Sequence, residues 1–311
     1  MRITNRISHR ILLNDIQNSY DLMAKYQHQV SSGKRINVPS DDPVGVSRLF
    51  WLNSATSQIT QYMSNIDIAL DEMKGSSEYL DSVQDSLLRV KEIQIQAANG
   101  MNTQEQLNTL AYQVDAILKN LVTTSNQTIN NKYLYAGFKT GTVPFTPTYA
   151  GGFINGMTYN GDVGQRNIEI NSGLTVTVNF AGDNTAAPGS PGVFVDTASG
   201  VNVFTALINM RDDLFAGNLN NVTGVDAPAV SSYVTHLQSL IGMQAVQIDE
   251  MENLKDNHTD DKLFKTNLRV SIEEIDAAEA ISNLSNQEVA YKAALQVGSQ
   301  VSQITMFDFL K

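Results

Sequence analysis

The 311-residue chain contains no cysteine, which removes disulfides and thiolate metal sites from its chemistry. Histidine is scarce: His9, His28, His236 and His258 lie far apart, none with a companion at i+4. That spacing offers no zinc ligand set, and each reads as a solvated surface histidine. Basic residues are in deficit, with 21 Lys and Arg against 32 Asp and Glu and a net charge of −11. A nucleic-acid surface needs clustered Lys and Arg, so that class of partner is disfavoured. No apolar run approaches the ~20 residues that span a bilayer. Catalytic patterns are also missing. Gly33-Lys34 invites a phosphate-loop reading, but His28 stands where that motif needs Gly and Arg35 where it needs Ser or Thr. No Ser sits in a nucleophile elbow. "DNHTDDK" (256–262) lacks the Gly and closing Glu of a calcium loop and reads as a helix break, with Asp260 or Asp261 capping the helix after it. The expectation is therefore no enzyme, no cofactor and no metal.

What the chain does have is a hydrophobic content of 42% and a length sufficient for two domains. Residues 1–35 carry six basic side chains against Asp15 and Asp21, but "ILLNDIQNSYDL" breaks its apolar run after three residues. A cleavable secretory signal is not expected.

Composition divides the chain in three. Residues 133–226 hold 14 of the 20 Gly and 4 of the 7 Pro, whereas both flanks are poor in each and helical in period. The strongest periodicity runs through Leu52, Ala55, Ile59, Tyr62, Ile66, Ala69, Met73, Ser76, Leu80, Val83, Leu87 and Val90. Alternating steps of 3 and 4 define a heptad seam. Gly75 within it marks a bend or a close approach. A second helix is expected over 103–129, with Leu107, Leu110, Val114, Ile117 and Leu121 inward, Gly100 as a C-cap before it and Thr103 as its N-cap.

The chain ends carry stripes too. Leu12, Ile16, Ser19, Met23, Tyr26 and Val30 share one helix face; Ala290, Ala294, Val297, Val301 and Ile304 repeat the pattern, extended to Phe307. Residues 228–256 add Val230, Val234, Leu237, Ile241, Ile248 and Met251. Pairing the first helix with the last places both termini at one end of a rod. In the middle, short runs between Gly, Asn and Pro turns predict strands near 153–159, 166–171 and 174–180. "NFAGDNTAAPGSPG" (179–192) reads as a loop, and Asn202 to Phe215 as helix.

The expected fold is mainly α with a small α+β insert. Both chain ends form a long antiparallel coiled-coil or bundle rod, and a β-rich domain is inserted between them. The expected segments are 1–44, an N-terminal assembly helix and loop; 45–132, helical rod; 133–227, β-rich outer domain with one helix; 228–280, helical rod; and 281–311, C-terminal assembly helix.

The stretch "SSGKRINVPSDDPVG" (31–45) interrupts the first helical region. Gly33 can end a helix in the left-handed conformation, and Pro39 forces Val38 into an extended form. Asp42 can cap the next helix with Pro43 at its first position, both Asp41 and Asp42 facing the positive end of the dipole. Lys34 and Arg35 can meet those carboxylates or a neighbouring chain.

This stretch resembles the N-terminal signature of the bacterial flagellin superfamily, and most of all its hook-associated protein 3 branch. That branch carries Pro-Ser-Asp-Asp-Pro, as at Pro39–Pro43, where flagellin usually has Ala in place of the prolines. "YLYAGFKTGTVPF" (133–145) and "AEAISNLSNQEVAYKAALQVGSQVSQITMFDFL" (278–310) are similar to the same branch. The resemblance covers 1–145 and 228–311, and "FDFLK" departs from the ending typical of flagellin.

The resemblance implies a structural junction protein, exported uncleaved through the flagellar type III apparatus and located outside the cell at the hook–filament junction. It implies terminal helices largely disordered as monomers that form a coiled-coil layer on assembly. Its implied partners are hook-associated protein 1, flagellin, an export chaperone on the C-terminal helix, and copies of itself in a ring of about eleven subunits. The terminal stripes would then be assembly surfaces, with Gly33, Lys34, Arg35, Pro39, Asp41, Asp42 and Pro43 as the signature loop. The alternatives are a flagellin filament subunit or, from another class, a secreted coiled-coil adhesin or needle-tip component.

Overall fold

The computed structural model describes residues 2–99, 101–186 and 191–309, with side chains throughout except at 2–6, 8 and 301–309. Long helices occupy both ends. α1 (Arg2–Ser32) and α2 (Pro43–Ala97) come first, then α3 (Gln104–Ser125); α6 (Ala227–Glu273) and α7 (Ala277–Phe309) close the chain. Among the described residues between them lie nine short strands, α4 (Val203–Ala216), the brief α5 (Leu219–Asn221) and a π-helical turn (Val222–Asp226). The molecule is thus mainly α with a small β insert of short sheets.

The residues separate into two compact units, 1–59 with 260–311, and 60–259. α2 and α6 contribute residues to both.

The heptad seam of α2 is the inner face of that helix. Leu52, Ile59, Ile66, Ala69, Met73, Leu80, Val83, Leu87 and Val90 are all buried, and Ser76 is buried with them. Each buried Leu, Ile, Val or Met side chain of the seam contributes ~1.5–3 kcal/mol relative to exposure. Gly75 marks a close approach and not a break: a Cβ there would collide with Ile129 Cδ1, and α2 continues through. α3 opens with the full capping box: Thr103 accepts from Gln106 N–H while the Gln106 side chain accepts from Thr103 N–H at 2.8 Å. Gly100, the expected cap before it, lies outside the described residues.

α3 ends earlier than its expected limit of 129. Asn126 caps it, and residues 128–133 form a hairpin of β1 (Thr128–Ile129) and β2 (Lys132–Tyr133). Asn130 and Asn131, both at positive φ (51° and 63°), make the two-residue turn whose twist suits a hairpin. The inward face of α3 also drifts: Leu118 is buried, whereas Ile117 is only partly so.

Beyond that hairpin, the described residues of the insert form three separate small sheets. β3 (Phe145–Ala150) pairs antiparallel with β4 (Phe153–Tyr159), and β5 (Asn167–Asn171) with β6 (Leu174–Thr177). β7 (Ala181–Asp183) runs parallel to β8 (Gly192–Asp196), which pairs antiparallel with β9 (Val201–Asn202). The expected loop over 179–192 therefore contains a strand. Its signal is hidden because β7 is three residues long and pairs across the sequence gap to β8. α4 starts where expected, with Asn202 as N-cap, and ends at Gly217 in the left-handed conformation.

The insert shares its core with the helices. Tyr135, Phe145, Phe194 and Phe204 pack ring on ring at 5.1–5.7 Å. They belong to one buried cluster with Leu80 and Leu87 of α2, Leu110 and Leu118 of α3, and Val230 and Leu237 of α6. Arg211 of α4, 2% exposed, is held by Asp115 at 3.2 Å, Asp212 at 2.7 Å and the Ile154 carbonyl at 2.6 Å.

The readings of the polar features of the sequence are corrected by the fold as well. "DNHTDDK" is not a break, since α6 runs unbroken through it. His258 is buried and not solvated: its Nε2 lies 3.0 Å from the Ile170 carbonyl and its ring stacks on Tyr62 at 5.9 Å. Its position continues the stripe of Gln244 and Met251, which also face inward. His236 is likewise engaged, 2.8 Å from the Gly192 carbonyl and 3.1 Å from Ser199 Oγ.

Candidate assembly surface

Residues 31–45 form an ordered connector built as local chemistry dictates. Gly33 takes φ 71° and its N–H bonds to Gln29 O at 2.9 Å, ending α1. Val38 to Asp41 make a turn, closed by Asp41 N–H to Val38 O at 3.0 Å, with Pro39 at the position its ring favours. Asp41 ties that turn from inside, accepting from Asn37 N–H at 3.1 Å and Val38 N–H at 3.2 Å. Lys25 sits 2.9 Å from its other oxygen. The Lys25 contact first, and the two backbone donors after it, hold the Asp41 carboxyl below its ordinary range. Asp42 caps α2, accepting from Gly45 N–H at 2.8 Å with Pro43 at the first helical position. That bond, with Arg35 at 3.3 Å, lowers the Asp42 carboxyl too. Gly45 is packed beneath the loop: a Cβ there would meet Asp42 Oδ2 and Ile36 Cδ1, both at 2.6 Å.

The connector docks on a second helix break distant in sequence. α6 stops at Glu273, and Asp276 starts α7 by accepting from Ala278 N–H at 2.9 Å and Glu279 N–H at 3.2 Å. Lys34 pairs with Glu274 as an antiparallel bridge. Arg35 N–H donates to Glu273 O at 2.7 Å, and Ile275 N–H to Gly33 O at 3.2 Å. The Lys34 ammonium lies 2.5 Å from Glu273, and the Arg35 guanidinium donates to Ile272 O at 3.0 Å. The ion pair is exposed and adds little; each backbone bond is worth ~1 kcal/mol net. Together they clasp the start of α7 to the end of α1. Glu273, Glu274, Ile275 and Asp276 were not singled out in the sequence. The signal was present: Asp276 followed three residues later by Glu279 is a helix-start pattern.

α1 and α7 pack antiparallel. Gly298 admits Ile16 and Leu12, whose Cδ atoms would lie 3.3 and 3.7 Å from a Cβ at that position. Tyr20 meets Tyr291 at 5.8 Å between ring centroids, and Gln287 donates to Ser19 O at 3.4 Å. Below them, Lys25, Tyr26, Gln29 and Arg35 face Asp276, Glu279, Ala280 and Asn283 across a groove of about 290 Å³.

Leu12, Ile16, Met23, Tyr26 and Val30 are all partly buried on α1. On α7 the stripe has a different phase. Ala294 is partly buried with Tyr291 and Gly298, whereas Ala290 is exposed and Val297 is 50% exposed. The side chains of Val301, Ile304 and Phe307 lie outside those described. The terminal helices, which the resemblance implies are largely disordered in a monomer, are here formed and paired. The same unit leaves Phe50, Trp51, Leu263 and Phe264 uncovered, each 59–69% exposed.

Among the described residues, no group of three or more His, Asp or Glu is placed to hold a metal ion, and no helix is long and apolar enough to cross a membrane.

The model of the bacterial flagellin N-terminal helical region matches residues 3–140. Over its whole length the chain is 24% identical to flagellar hook-associated protein 3 of Escherichia coli K12, with all of both chains covered. To the protein of the same name from Salmonella typhimurium LT2 it is 22% identical, with 99% of each covered. Its match to phase 1 flagellin of Salmonella naestved is 27% over 125 residues, 40% of this chain and 25% of that one. The fold is shared with a flagellar hook-associated protein from Vibrio parahaemolyticus, at TM-score 0.64, 20% identity, 75% of this chain and 100% of that chain. It is shared also with the flagellar junction protein FlgL of Legionella pneumophila, at TM-score 0.57, 18% identity, 72% and 100%.

Proposed function

We propose that this chain, whose similarity to flagellar hook-associated protein 3 runs end to end, is a flagellin-superfamily protein that joins the flagellar hook to the flagellin filament. The observation that carries this reading is the reach of its similarity. It extends over all of hook-associated protein 3 but over only 25% of a flagellin. The role is structural, and no catalytic step is part of it.

In this reading hook-associated protein 1 lies on one side of the subunit and flagellin on the other. Copies of the chain form a ring of about eleven, in which one face of each subunit meets a different face of its neighbour. Subunits leave the cell through the flagellar type III apparatus without cleavage and function outside it, after release from a chaperone that holds the C-terminal helix. The exposed Ala290 and Val297 on α7, and the uncovered Phe50, Trp51 and Phe264, support assembly. Apolar side chains left open in one subunit gain burial when a second covers them. The clasp supports it differently, by fixing where α1 ends and α7 begins so that both helices are presented together.

A strain lacking the gene tests this when complemented with a chain truncated before residue 282. That product retains residues 60–259 and their buried cluster intact. It is expected to be soluble and folded yet absent from isolated flagella. Wild-type incorporation would refute the assembly role of α7. Long filaments formed by the purified full chain alone would instead identify a flagellin.

A further inference from the structure

The start of α2 and the end of α6 carry an apolar face that one chain leaves open. On α2, Val44, Arg48 and Trp51 follow one another at i, i+4 and i+7, so they share a helix face, with Phe50 beside them. On α6, Phe264 and Leu268 are one turn apart, with Leu263 beside them. The buried positions at this point of α2 are Leu49 and Leu52, which leaves Phe50 and Trp51 on the outside. The Arg35 guanidinium touches Asp42 Oδ2 at 3.3 Å and Ile272 O at 3.0 Å, so it joins the cap of α2 to the last turn of α6. Phe50 lies about two turns into α2 from that point, and Phe264 about two turns back along α6. The two aromatic sets therefore stand at one level.

Phe50, Trp51, Leu263 and Phe264 are 59–69% exposed, and Val44 is 66% exposed. The three aromatic side chains alone present on the order of 400 Å², at roughly two-thirds of the ~150–250 Å² that each can bury. That matches the ~300–600 Å² of the largest patch on a typical monomer, which is often functional. The charge around it is positive. Residues 44–54 and 260–269 carry Arg48, Lys262, Lys265 and Arg269 against Asp260 and Asp261, in a chain whose net charge is −11. Lys265 is paired with Asp261 and Arg269 with Glu273, whereas among the described residues Arg48 and Lys262 form no ion pair.

One acidic face of the chain complements this patch. Lys255 pairs with Asp67 at 2.6 Å and has Asp71 and Asp256 within electrostatic reach, and Lys74 pairs with Glu252 at 2.5 Å. Four carboxylates there meet two ammonium groups. Ile68, 51% exposed, lies beside Asp67 and one turn from Asp71.

We infer that the contact between neighbouring copies joins these two faces, the cation-edged aromatic patch of Phe50, Trp51 and Phe264 on one copy docking on the acidic face around Ile68 of the next. The second copy comes from the junction reading, on which this assignment rests. Apolar centres meet and rim charges are opposite, which steers encounter and fixes register. The two faces differ, so the contact is heterologous and repeats from copy to copy instead of closing a pair. Patch against patch would set Arg48 and Lys262 against their own counterparts, a like-charge contact that is disfavoured.

The test uses flagella and exploits the absence of native cysteine. Ser54→Cys lies one turn from Phe50 and Trp51, Ser64→Cys lies one turn from Asp67 and Ile68, and both positions are exposed. A strain lacking the gene makes both full-length variants together, one of them tagged, and its isolated flagella are treated with a short bismaleimide. Dimers holding one copy of each variant are expected, in clear excess over dimers of either variant alone. Arg48→Glu in the Ser54→Cys chain is expected to cut that yield about 10-fold. Chains present in flagella but cross-linked only to their own variant, or not at all, would overturn the inference. So would a mixed-dimer yield unchanged by Arg48→Glu. Absence of the chain from flagella would refute the junction reading itself, and this contact with it.

Discussion

Gly298 is the point at which the pairing of α1 with α7 can be tested in two directions by one residue. It lies in the interior of α7, where glycine costs ~1 kcal/mol relative to alanine. A Cβ added there would sit 3.3 Å from Ile16 Cδ1 and 3.7 Å from Leu12 Cδ2. Both are the ends of flexible side chains, so a few tenths of an ångström of movement accommodates a methyl group. Gly298→Ala should therefore stabilise the helix pair by about 0.5–1 kcal/mol. Gly298→Leu adds three more carbons to the same gap and should overpack it, at a cost of ~1–3 kcal/mol. The assay is hydrogen exchange read separately for amides of α1 and α7, because terminal elements open locally without global unfolding. Alanine should slow exchange in both helices. Leucine should speed it in both, and a loss of ~1–2 kcal/mol corresponds to a factor of ~5–30. If leucine left exchange in α1 unchanged, or alanine and leucine acted with the same sign, the packing of Ile16 and Leu12 over Gly298 would be refuted.

Other sites give further outcomes. Val297→Asp, on the exposed side of α7, should leave the melting temperature of the free chain nearly unchanged while blocking incorporation into flagella; a large drop in melting temperature would show Val297 to be buried before assembly. Arg211→Met leaves Asp115 its ion pair with Lys119 at 2.8 Å but strips the buried Ile154 carbonyl of its donor, and should destabilise by ~1–3 kcal/mol in a denaturant titration. Asp41 has a lowered carboxyl pKa, so its contribution to stability is present above its ordinary value of 3.8 and is lost as pH falls below that. Asp41→Asn should flatten the acid limb of exchange at the 37–41 turn and leave pH 7–9 behaviour parallel to the wild type. Because burial, then Asp213, raises the Asp226 carboxyl to about 6, the stability advantage of Asp226→Asn over the wild type should be ~1–2 kcal/mol at pH 7.5 after allowance for solvent screening. It should shrink as pH falls from about 6 toward 4, because the raised carboxyl is then protonated in the folded wild type and its penalty disappears.

The legibility of this chain depended on how local each feature is. The α2 seam was readable because twelve positions repeat one signal and the interior accepts most of them. Thr103 and Asp42 were readable because a cap is a contact over three residues. The clasp was not, since Lys34 and Glu274 meet through backbone groups across 240 residues and no side-chain type announces a bridge. The phase of α7 was misleading for a related reason. Alanine and valine mark an apolar face in sequence, but the pairing with α1 uses Tyr291 and Gly298, a ring and a gap, leaving Val297 outside. "DNHTDDK" read as a break because of its polarity. Yet a helix tolerates polar residues on its outer side, and of that stretch His258 turns inward to find the Ile170 carbonyl.

The central claim concerns a joint, and it is tested most directly by electron microscopy of flagella from a strain lacking this gene, with the medium assayed for flagellin. The account predicts hooks without filaments and flagellin shed into the medium, because nothing holds the first filament subunit to the hook. Normal filaments on those cells would contradict it.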